Sequence, residues 1–557
     1  MKTINFLTIA LAAILLAGFS SCSDLKDTDS DNGNNGVGQK AEAYIALKIT
    51  IPNDAAASRA ETAEDSGVYE AGTSDEYDIK SLYLHFYDDA TGDLATDVGA
   101  LGVVTIPSSK LYPTGPTSDI VYNISQPVPI TLTSVPKTYK VIAVANYDFV
   151  DPAAAIEGTL QAAAFGNSTA AGTGASKYAA GLISAIPDGT SPNPFENGLL
   201  MASRTATSET SNPYYYKSSP YSTITIDVTN TQTKPAPLSI EMERGVAKLA
   251  IAGGGSSNDN VYTLNSGTDA ECEIEIVEYA AINLKTDSYI YRLVSDGTNK
   301  GYGNLAAPTD AGYGFKYLYS TGFGDKVAVG TIAPYSLVNS VVENIVASTG
   351  NVVDYSTLGS KGAMPAGATY SKIGYCLENS AKEEFQINAY STGMLFKGEI
   401  TPLVVYEDDG SGFDVVVMAS IPTDFFYHNG RFYEDIAAIA ADPASAAAVK
   451  GLNNTTPSAT PADQKLLHNL GIEKYVGGVC YYTYWIKHLD SPSVENDVME
   501  FAVVRNNVYN MRITSISNLG PGQPYIDPED PNELAATYFK VDLAIRPWIV
   551  RTNDIQF

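Results

Sequence analysis

The sequence predicts an all-β protein with minor helices, arranged as two tandem β-sandwich domains. Many short apolar stretches alternate with period two, which is typical of strands that bury one face. Glycine, proline, asparagine and aspartate separate these stretches and indicate turns. With 557 residues, the chain has enough material for two or three hydrophobic cores. Short strands joined by long loops favour sandwiches over helical bundles.

Residues 1–21 have the pattern of a secretory signal peptide rather than of a membrane span. Met1 and Lys2 precede an apolar run from Phe6 to Phe19, which is too short to cross a bilayer comfortably. Two serines then lead to Cys22, which indicates lipoprotein processing with Cys22 as the acylated first residue. Attachment of the precursor to the outer membrane is expected to depend on this lipid.

Residues 22–59 are interpreted as a propeptide that contains a tether and a removable first strand. Residues 23–40 are polar, acidic and glycine-rich, as in a flexible tether. Residues 43–51 alternate with period two and place Ile45, Leu47, Ile49 and Ile51 on one face. A trypsin-like protease that cuts between Arg59 and Ala60 would release this strand. A disposable strand suggests that another segment takes its place.

Residues 60–240 and 241–537 are predicted to form the two sandwich domains. A long alternating stretch, 238–251, is expected to run from the first domain into the second. Helices are expected to be few and peripheral. The other predicted strands are 81–87, 139–145, 223–228, 272–277, 403–406, 415–418, 481–486, 508–516 and 539–550, and the predicted helices are 151–165, 435–450 and 461–470.

Residues 538–557 are predicted to carry a terminal strand that mirrors the first one. Its apolar residues, Phe539, Val541, Leu543 and Ile545, alternate with polar or small neighbours and are followed by Pro547 and Trp548. A proline-rich spacer at 521–531 precedes the strand and is expected to let it swing away. The pattern alone leaves open that this strand pairs within its own domain.

The charge balance excludes a nucleic-acid partner. Lysine and arginine number 34 against 63 aspartates and glutamates, which gives a formal net charge of −29. Such a field repels phosphate backbones, and we interpret it as a solvated extracellular surface.

The cysteines indicate neither a disulfide framework nor a zinc site. If Cys22 carries lipid, Cys272, Cys376 and Cys480 remain, without C-x-x-C spacing. Buried free thiols are expected, and one pair among the three stays open.

Motifs for catalysis are absent from the sequence. The four histidines, His85, His428, His468 and His488, lie outside any zinc-protease or nucleophile motif. No phosphate-binding glycine loop opens a βαβ unit. The chain is therefore expected not to be an enzyme and to need no metal or cofactor.

The sequence resembles the fimbrillins of Bacteroidetes type V pili, and among them the shaft subunit of the short fimbriae. The C-terminal eighty residues carry the strongest resemblance. The segments that carry it are the aromatic strand 480–485, the motif 503–509 with its continuation to Gly520, the closing strand 541–548, the strand 243–248, the lipobox cysteine and Arg59.

The resemblance implies a pathway of assembly. The precursor is exported, lipidated at Cys22 and cut after Arg59 by an arginine-specific or trypsin-like protease. The first strand leaves a groove, which the C-terminal strand of another copy fills by β-strand addition. Because a head-to-tail contact of this kind does not close, it makes a filament at the cell surface. Accessory fimbrial subunits are further implied partners, and the sequence does not identify a host or bacterial receptor.

Two alternatives to a shaft subunit remain open in the sequence. An anchor or tip subunit belongs to the same assembly, but an anchor would keep its first strand and a tip would need no donor strand. A monomeric surface lipoprotein that binds glycans or host proteins is compatible with the 37 tyrosines.

Overall fold

Strands make up nearly all the regular elements in the computed structural model of the protein, which confirms the prediction of an all-β fold with minor helices. The structure describes most of residues 41–550. The undescribed stretches are 1–40, 52–69, 147–176, 185–197, 296–315, 318–360, 489–499 and 551–557, together with shorter gaps. Cys22, Arg59, Ala60 and the predicted helix 151–165 lie outside the described residues.

Thirty-one strands and two α-helices are present in the described part of the chain. The first fourteen strands are β1 (Ala41–Ile51), β2 (Glu70–Gly72), β3 (Ser81–Asp88), β4 (Val103–Pro107), β5 (Leu111–Thr114), β6 (Ile120–Ile124), β7 (Val128–Leu132), β8 (Lys137–Ala145), β9 (Lys177–Ala179), β10 (Ile183–Ser184), β11 (Met201–Ser208), β12 (Tyr216–Ser219), β13 (Ser222–Ile226) and β14 (Ala236–Arg244). The others are β15 (Val246–Ile251), β16 (Val261–Asn265), β17 (Glu271–Ile282), β18 (Asp287–Tyr289), β19 (Val294–Ser295), β20 (Lys316–Tyr317), β21 (Gly362–Ala363), β22 (Ser371–Leu377), β23 (Gly393–Pro402), β24 (Val405–Asp408), β25 (Phe413–Val416), β26 (Asp424–His428), β27 (Arg431–Tyr433), β28 (Glu473–Val476), β29 (Val479–Trp485), β30 (Asn507–Ile516) and β31 (Phe539–Val550). The helices are α1 (Ile436–Ala441) and α2 (Pro461–Asn469).

Eleven of the fourteen strands that precede residue 245 form one sheet, while β2, β9 and β10 pair with later strands. The main order of this sheet is β4-β3-β8-β11-β14-β1-β6-β5, while β12, β13 and β7 pair with β11, β8 and β1. The apolar residues of these strands share one hydrophobic cluster, which extends from Ala43 to Met242. β1 therefore lies inside the sheet and not at its edge.

The later strands form smaller sheets around a second cluster. One sheet has the order β10-β22-β15-β30-β31-β2, another the order β16-β17-β23-β29, and a third the order β25-β24-β27-β26-β28. The second cluster joins β15, β17, β23, β29 and β30, and it shares no residue with the first. The expected domain boundary near residue 240 stays a prediction, although the chain passes between the clusters at β14 and β15.

The long strand predicted for 238–251 is interrupted at Gly245. The Gly245 N–H donates to the Leu200 carbonyl over 2.8 Å instead of continuing a ladder. A β-carbon at this position would lie 3.0 Å from Cδ2 of Leu200, so the close approach favours glycine. β14 consequently ends in the eleven-stranded sheet and β15 begins in the six-stranded one.

The predicted helix 435–450 is shorter in the structure. Asp435 caps α1, because its side chain accepts a hydrogen bond of 2.8 Å from the Ala438 N–H. Asp442 then adopts an extended conformation, as expected for a residue before a proline. Its carboxylate accepts a 2.5 Å hydrogen bond from the Tyr433 hydroxyl and pairs with Arg431 at 3.0 Å. These contacts end the helix at Ala441 and leave turns from 442 to 450.

A buried charge cluster links the segment after β2 to β14, β15 and β22. Glu76 is fully buried, and its carboxylate lies 3.2 Å from Nζ of Lys248 and accepts a 2.5 Å hydrogen bond from the Tyr375 hydroxyl. The Arg244 Nε donates to the Glu76 carbonyl over 2.6 Å. Burial lowers the pKa of Arg244 to about 10, opposed by the nearby Glu76 charge. The cluster therefore ties the segment after β2 to three strands of the two larger sheets.

Glu76→Ala is expected to lower the free energy of unfolding by about 3–5 kcal/mol, because it removes the buried carboxylate that lies 3.2 Å from Nζ of Lys248. Urea unfolding followed by circular dichroism would measure the loss. Glu273→Ala is the matched control, since Glu273 lies exposed on β17. Equal losses for the two variants would contradict a structural role of the Glu76 cluster.

Candidate strand-exchange site

β1 buries one face completely, as the alternation predicted. Ala43, Ile45, Leu47, Ile49 and Ile51 have exposed fractions of 0, 0, 3, 0 and 1%. The opposite face is more accessible to solvent, with Glu42 and Lys48 exposed. Sequence reasoning had named the four larger side chains of this face, and the structure adds Ala43 as a fifth inward position.

β1 is held on both edges by other strands. On one side it runs parallel to β14, with Ile45 opposite Ala236 and Thr50 opposite Glu241. On the other side two strands divide its length between them, and both are antiparallel to it. β7 pairs with residues 41–45, and β6 pairs with residues 48–51.

Removing β1 would open a long slot in the eleven-stranded sheet. We call the space between β14 on one side and β6 and β7 on the other the β1 slot. Its floor belongs to the cluster that contains Leu82, Leu84 and Phe86 of β3. Losing four buried aliphatic side chains would leave about 6–12 kcal/mol of burial unmet, at roughly 1.5–3 kcal/mol each. The slot would also have unpaired backbone groups along both walls.

The predicted cleavage site lies on the chain between β1 and β2. Arg59 and Ala60 fall outside the described residues, as does Cys22, so lipidation and cleavage stay predictions. β1 ends at Ile51 and β2 begins at Glu70. A cut after Arg59 would separate β1 covalently from every other described strand.

The predicted donor strand is β31, and its bounds of 539–550 agree with the predicted segment. In this structure β31 pairs with β30 of its own chain. The two strands are antiparallel, with Phe539 opposite Ile516 and Ile545 opposite Tyr509. Leu543 lies opposite Met511. The far end of β31 also runs parallel to β2, where Trp548 lies opposite Glu70. This pairing does not test whether β31 leaves for another copy.

Val541 of β31 contacts the second hydrophobic cluster. Its side chain is half-buried and packs against that cluster. The residues at 539, 543 and 545 have the same parity as Val541 along β31, and the one register shift of this pair is in β30, between Ile513 and Ser515.

The described residues at the start of the spacer pack against neighbouring elements in this chain, and release of the spacer during assembly stays a prediction. The Pro521 carbonyl accepts a 3.0 Å hydrogen bond from the Tyr481 N–H, and the Tyr525 ring stacks on His468 at 4.2 Å. Ile526 and Asn532 are 3% and 2% exposed. Glycines allow this docking, since a β-carbon at Gly520 would lie 2.3 Å from the Tyr481 carbonyl oxygen.

Groups with catalytic potential have structural partners in the described part of the chain. His488 Nδ1 lies 2.7 Å from the Tyr509 hydroxyl, and His428 Nδ1 lies 2.8 Å from the Gly471 carbonyl oxygen. No group of acidic, histidine or cysteine side chains with metal-binding geometry occurs among the described residues. Within the same residues, no helix has the length and hydropathy needed to span a membrane.

The three described cysteines are free and buried, which confirms the expected state. Burial raises the pKa of the Cys272 and Cys376 thiols to about 12 and raises that of Cys480 further. They are therefore protonated at neutral pH and poorly reactive.

The walls of the β1 slot were not foreseen from the sequence. β14 overlaps the predicted strand 238–251, but no strand was predicted at β7, where Val128, Ile130 and Leu132 have exposed fractions of 7, 1 and 0%. Alternation shows that a strand buries one face, but it does not identify the neighbouring strand. The assignment of these walls required the pairing itself.

In a comparison with known protein families, a fimbrial family model matches the C-terminal part of the chain. Residues 473–554 match the family model described as "Major fimbrial subunit protein type IV, Fimbrillin, C-terminal". This range includes β28, β29, β30 and β31. The matched family consists of structural subunits, so the expectation that the chain is not an enzyme is confirmed. Among curated proteins, no sequence matches the chain.

Two solved fimbrial proteins of Porphyromonas gingivalis resemble the chain. A fimbrillin shares 14% identity at a TM-score of 0.37, over 92% of this chain and 99% of that one. A C-terminally truncated tip fimbrial protein shares 13% identity at a TM-score of 0.31, over 91% of this chain and 100% of that one. At these TM-scores neither likeness supports an argument about the role of this chain.

Proposed function

We propose that this protein is the structural shaft subunit of a cell-surface fimbrium, which polymerises by strand exchange after proteolysis and supports adhesion. The observation that carries the proposal is the position of β1. It is an interior strand with five fully buried side chains, and it precedes every other described strand and the predicted cut at Arg59. The fimbrillin match at 473–554, which includes the whole of β31, supports the same class of protein.

The proposed cycle has one occupant of the β1 slot at each stage. β1 fills the slot in the precursor and keeps it monomeric. Cleavage after Arg59 frees β1 to dissociate, and β31 of a second copy then enters. Because the donor strand and the slot are separate parts of each subunit, each addition leaves a new slot or a new donor exposed. The precursor is proposed to be an outer-membrane lipoprotein and the product a fibre on the cell surface.

Assembly from purified precursor tests this proposal. Precursor treated with trypsin in limiting amount is expected to give a ladder of oligomers on mildly denaturing gels, while untreated precursor stays monomeric. Ladders that appear equally without protease would contradict proteolytic activation. A cleaved protein that stays monomeric at all concentrations would favour the surface lipoprotein that binds glycans or host proteins as a monomer. Fibre-associated chains that retain residues 41–51 would favour an anchor subunit.

Cys22→Ala is expected to abolish acyl labelling and to hold the precursor before the cell surface, because it removes the acceptor thiol. Metabolic labelling with a fatty acid and surface immunoblotting would measure both effects. Cys272→Ala is the control, since that thiol is buried and unavailable to a lipid. Normal surface fimbriae from the Cys22→Ala strain would show that the lipid is unnecessary.

A further inference from the structure

We propose that β31 of a second copy enters the β1 slot in the direction of β1 and in one register. In that register Phe539 takes the place of Ile45, and Ile545 takes the place of Ile51. The inference rests on the proposed function and adds the direction and the alignment of the donor. Three features of the slot and the donor select this arrangement.

Ala43 marks a narrow end of the slot. It is fully buried and lies opposite Ile130 of β7, while the other four inward positions hold isoleucine or leucine. Because the donor's inward residues alternate, its register can change only in steps of two residues. A shift by one step places Phe539 at Ala43, where a large ring would overpack the core. The proposed register instead matches aliphatic to aliphatic at Leu47, Ile49 and Ile51.

Pro547 supplies a second constraint. Between two strands, every residue along the slot has its N–H directed to one wall or the other, and a proline removes a ladder hydrogen bond. β1 contains no proline, and Pro52 follows its last residue. The proposed register puts Pro547 two positions beyond Ile51 and outside the ladder. The register shifted by one step puts it at Ile51, opposite Ile120 of β6.

The reversed direction fails on the same two features. A reversed donor that places Phe539 at Ile51 and Ile545 at Ile45 carries Pro547 to Ala43, inside the ladder with β7. Moving that donor by two residues removes the proline from position 43 but puts Ile545 there. Each reversed alignment that fills the slot therefore places a proline in the ladder or a large side chain at Ala43.

The outward face agrees with the proposed register. Tyr538 aligns with Tyr44, which is half-buried in the precursor. Asp542 aligns with exposed Lys48, between Asn123 and Ser239 on the two walls, so its carboxylate stays in water. No charged donor residue falls on the buried face.

Cysteine cross-linking in assembled protein tests the register. The acceptor is Val121→Cys, because Val121 lies directly opposite Thr50 of β1 in an antiparallel pair. Such pairs have Cα separations that permit a disulfide. Single donor cysteines are placed on the outward face, as Lys540→Cys, Asp542→Cys, Ala544→Cys or Arg546→Cys. Within their own chain these four residues pair with residues 515, 512, 510 and 508 of β30, in that order. A disulfide to residue 121 therefore reports a second copy.

Ala544→Cys is expected to give disulfide-linked dimers several-fold more strongly than the other three donors. Oxidised, cleaved protein on non-reducing gels provides the measurement. The precursor with Thr50→Cys and Val121→Cys is the positive control for the geometry, and the buried native thiols keep the background low. If Arg546→Cys gives the strongest linkage, the register is shifted so that Phe539 occupies the position of Ala43. If Lys540→Cys gives the strongest linkage, the donor strand runs in the reversed direction. Either result would overturn the proposal.

The failures of the two proposals have different signatures. Ladders that form normally while Ala544→Cys gives no preferred link overturn the register but leave strand exchange intact. Absence of ladders from cleaved protein without any introduced cysteine contradicts the proposed function itself.

Discussion

A chain that ends at Tyr538 is expected to accept a neighbouring subunit but not to donate to one. The deletion of residues 539–557 removes β31 and leaves the β1 slot and its three wall strands intact. Cleaved truncated protein alone should therefore stay monomeric, and a mixture with wild type should give shortened ladders in which the variant occupies only one end. Native gels of the mixture at several ratios would measure the shortening.

Because β31 pairs with β30 of its own chain, the deletion has to be accompanied by a point variant that keeps this pairing. β31 covers one edge of β30, whose Tyr509, Met511 and Ile513 are almost fully buried. Its loss exposes that edge and lowers stability for a reason unrelated to exchange. Leu543→Asp keeps the strand but puts a carboxylate on the slot-filling face, which costs several kcal/mol when the carboxylate is buried unpaired.

Acceptor competence separates a failed donor from a misfolded protein. A misfolded variant neither donates nor accepts, whereas Leu543→Asp is expected to bind a synthetic peptide of residues 537–550 as wild type does. Lys540→Asp is the matched control, because it adds the same group on the opposite face. Ladders of normal length from the truncated chain would mean that β31 is not the donor and pairs only within its own chain. That result would favour the alternative of a monomeric surface lipoprotein that binds glycans or host proteins.

Local patterns in the sequence predicted individual strands well. β1 was predicted at 43–51 and lies at 41–51, and β31 has the predicted bounds. These strands each bury one face or carry a clear alternation, and a period of two is readable without knowledge of neighbours. The inward residues of β1 followed from the same pattern.

Contacts between distant parts of the chain were not predictable from those patterns. Nothing local indicates that β1 runs parallel to β14, or that β6 and β7 share its other edge. The burial of Glu76 against Lys248 joins residues far apart in sequence, and an isolated glutamate carries no signal for it. The proline-rich composition of 521–531 suggested a mobile spacer, and it gave no sign of the close backbone approaches at Gly520 and Gly522.

Arg59→Ala is expected to abolish assembly by leaving β1 in place. The uncut strand is tethered to its own slot and acts at an effective concentration in the millimolar range, with about 6–12 kcal/mol of side-chain burial in its favour. A donor from another copy must displace it at micromolar concentration, so exchange should fall below detection. Mass spectrometry of fibres should find wild-type subunits that begin at Ala60, and no fibres should form from Arg59→Ala.

Arg59→Lys distinguishes the two kinds of protease and controls for the substitution itself. A trypsin-like enzyme cuts after lysine, so this variant should assemble, whereas an arginine-specific enzyme should leave it as inactive as Arg59→Ala. Inserting a recognition site for an unrelated protease after residue 59 of the Arg59→Ala chain should restore ladders when that protease is added, because the covalent link is the only barrier in this account. Fibres built from Arg59→Ala chains that still contain residues 41–51 would show that the slot is not the assembly site, since β1 and a donor strand compete for the same walls of β14, β6 and β7.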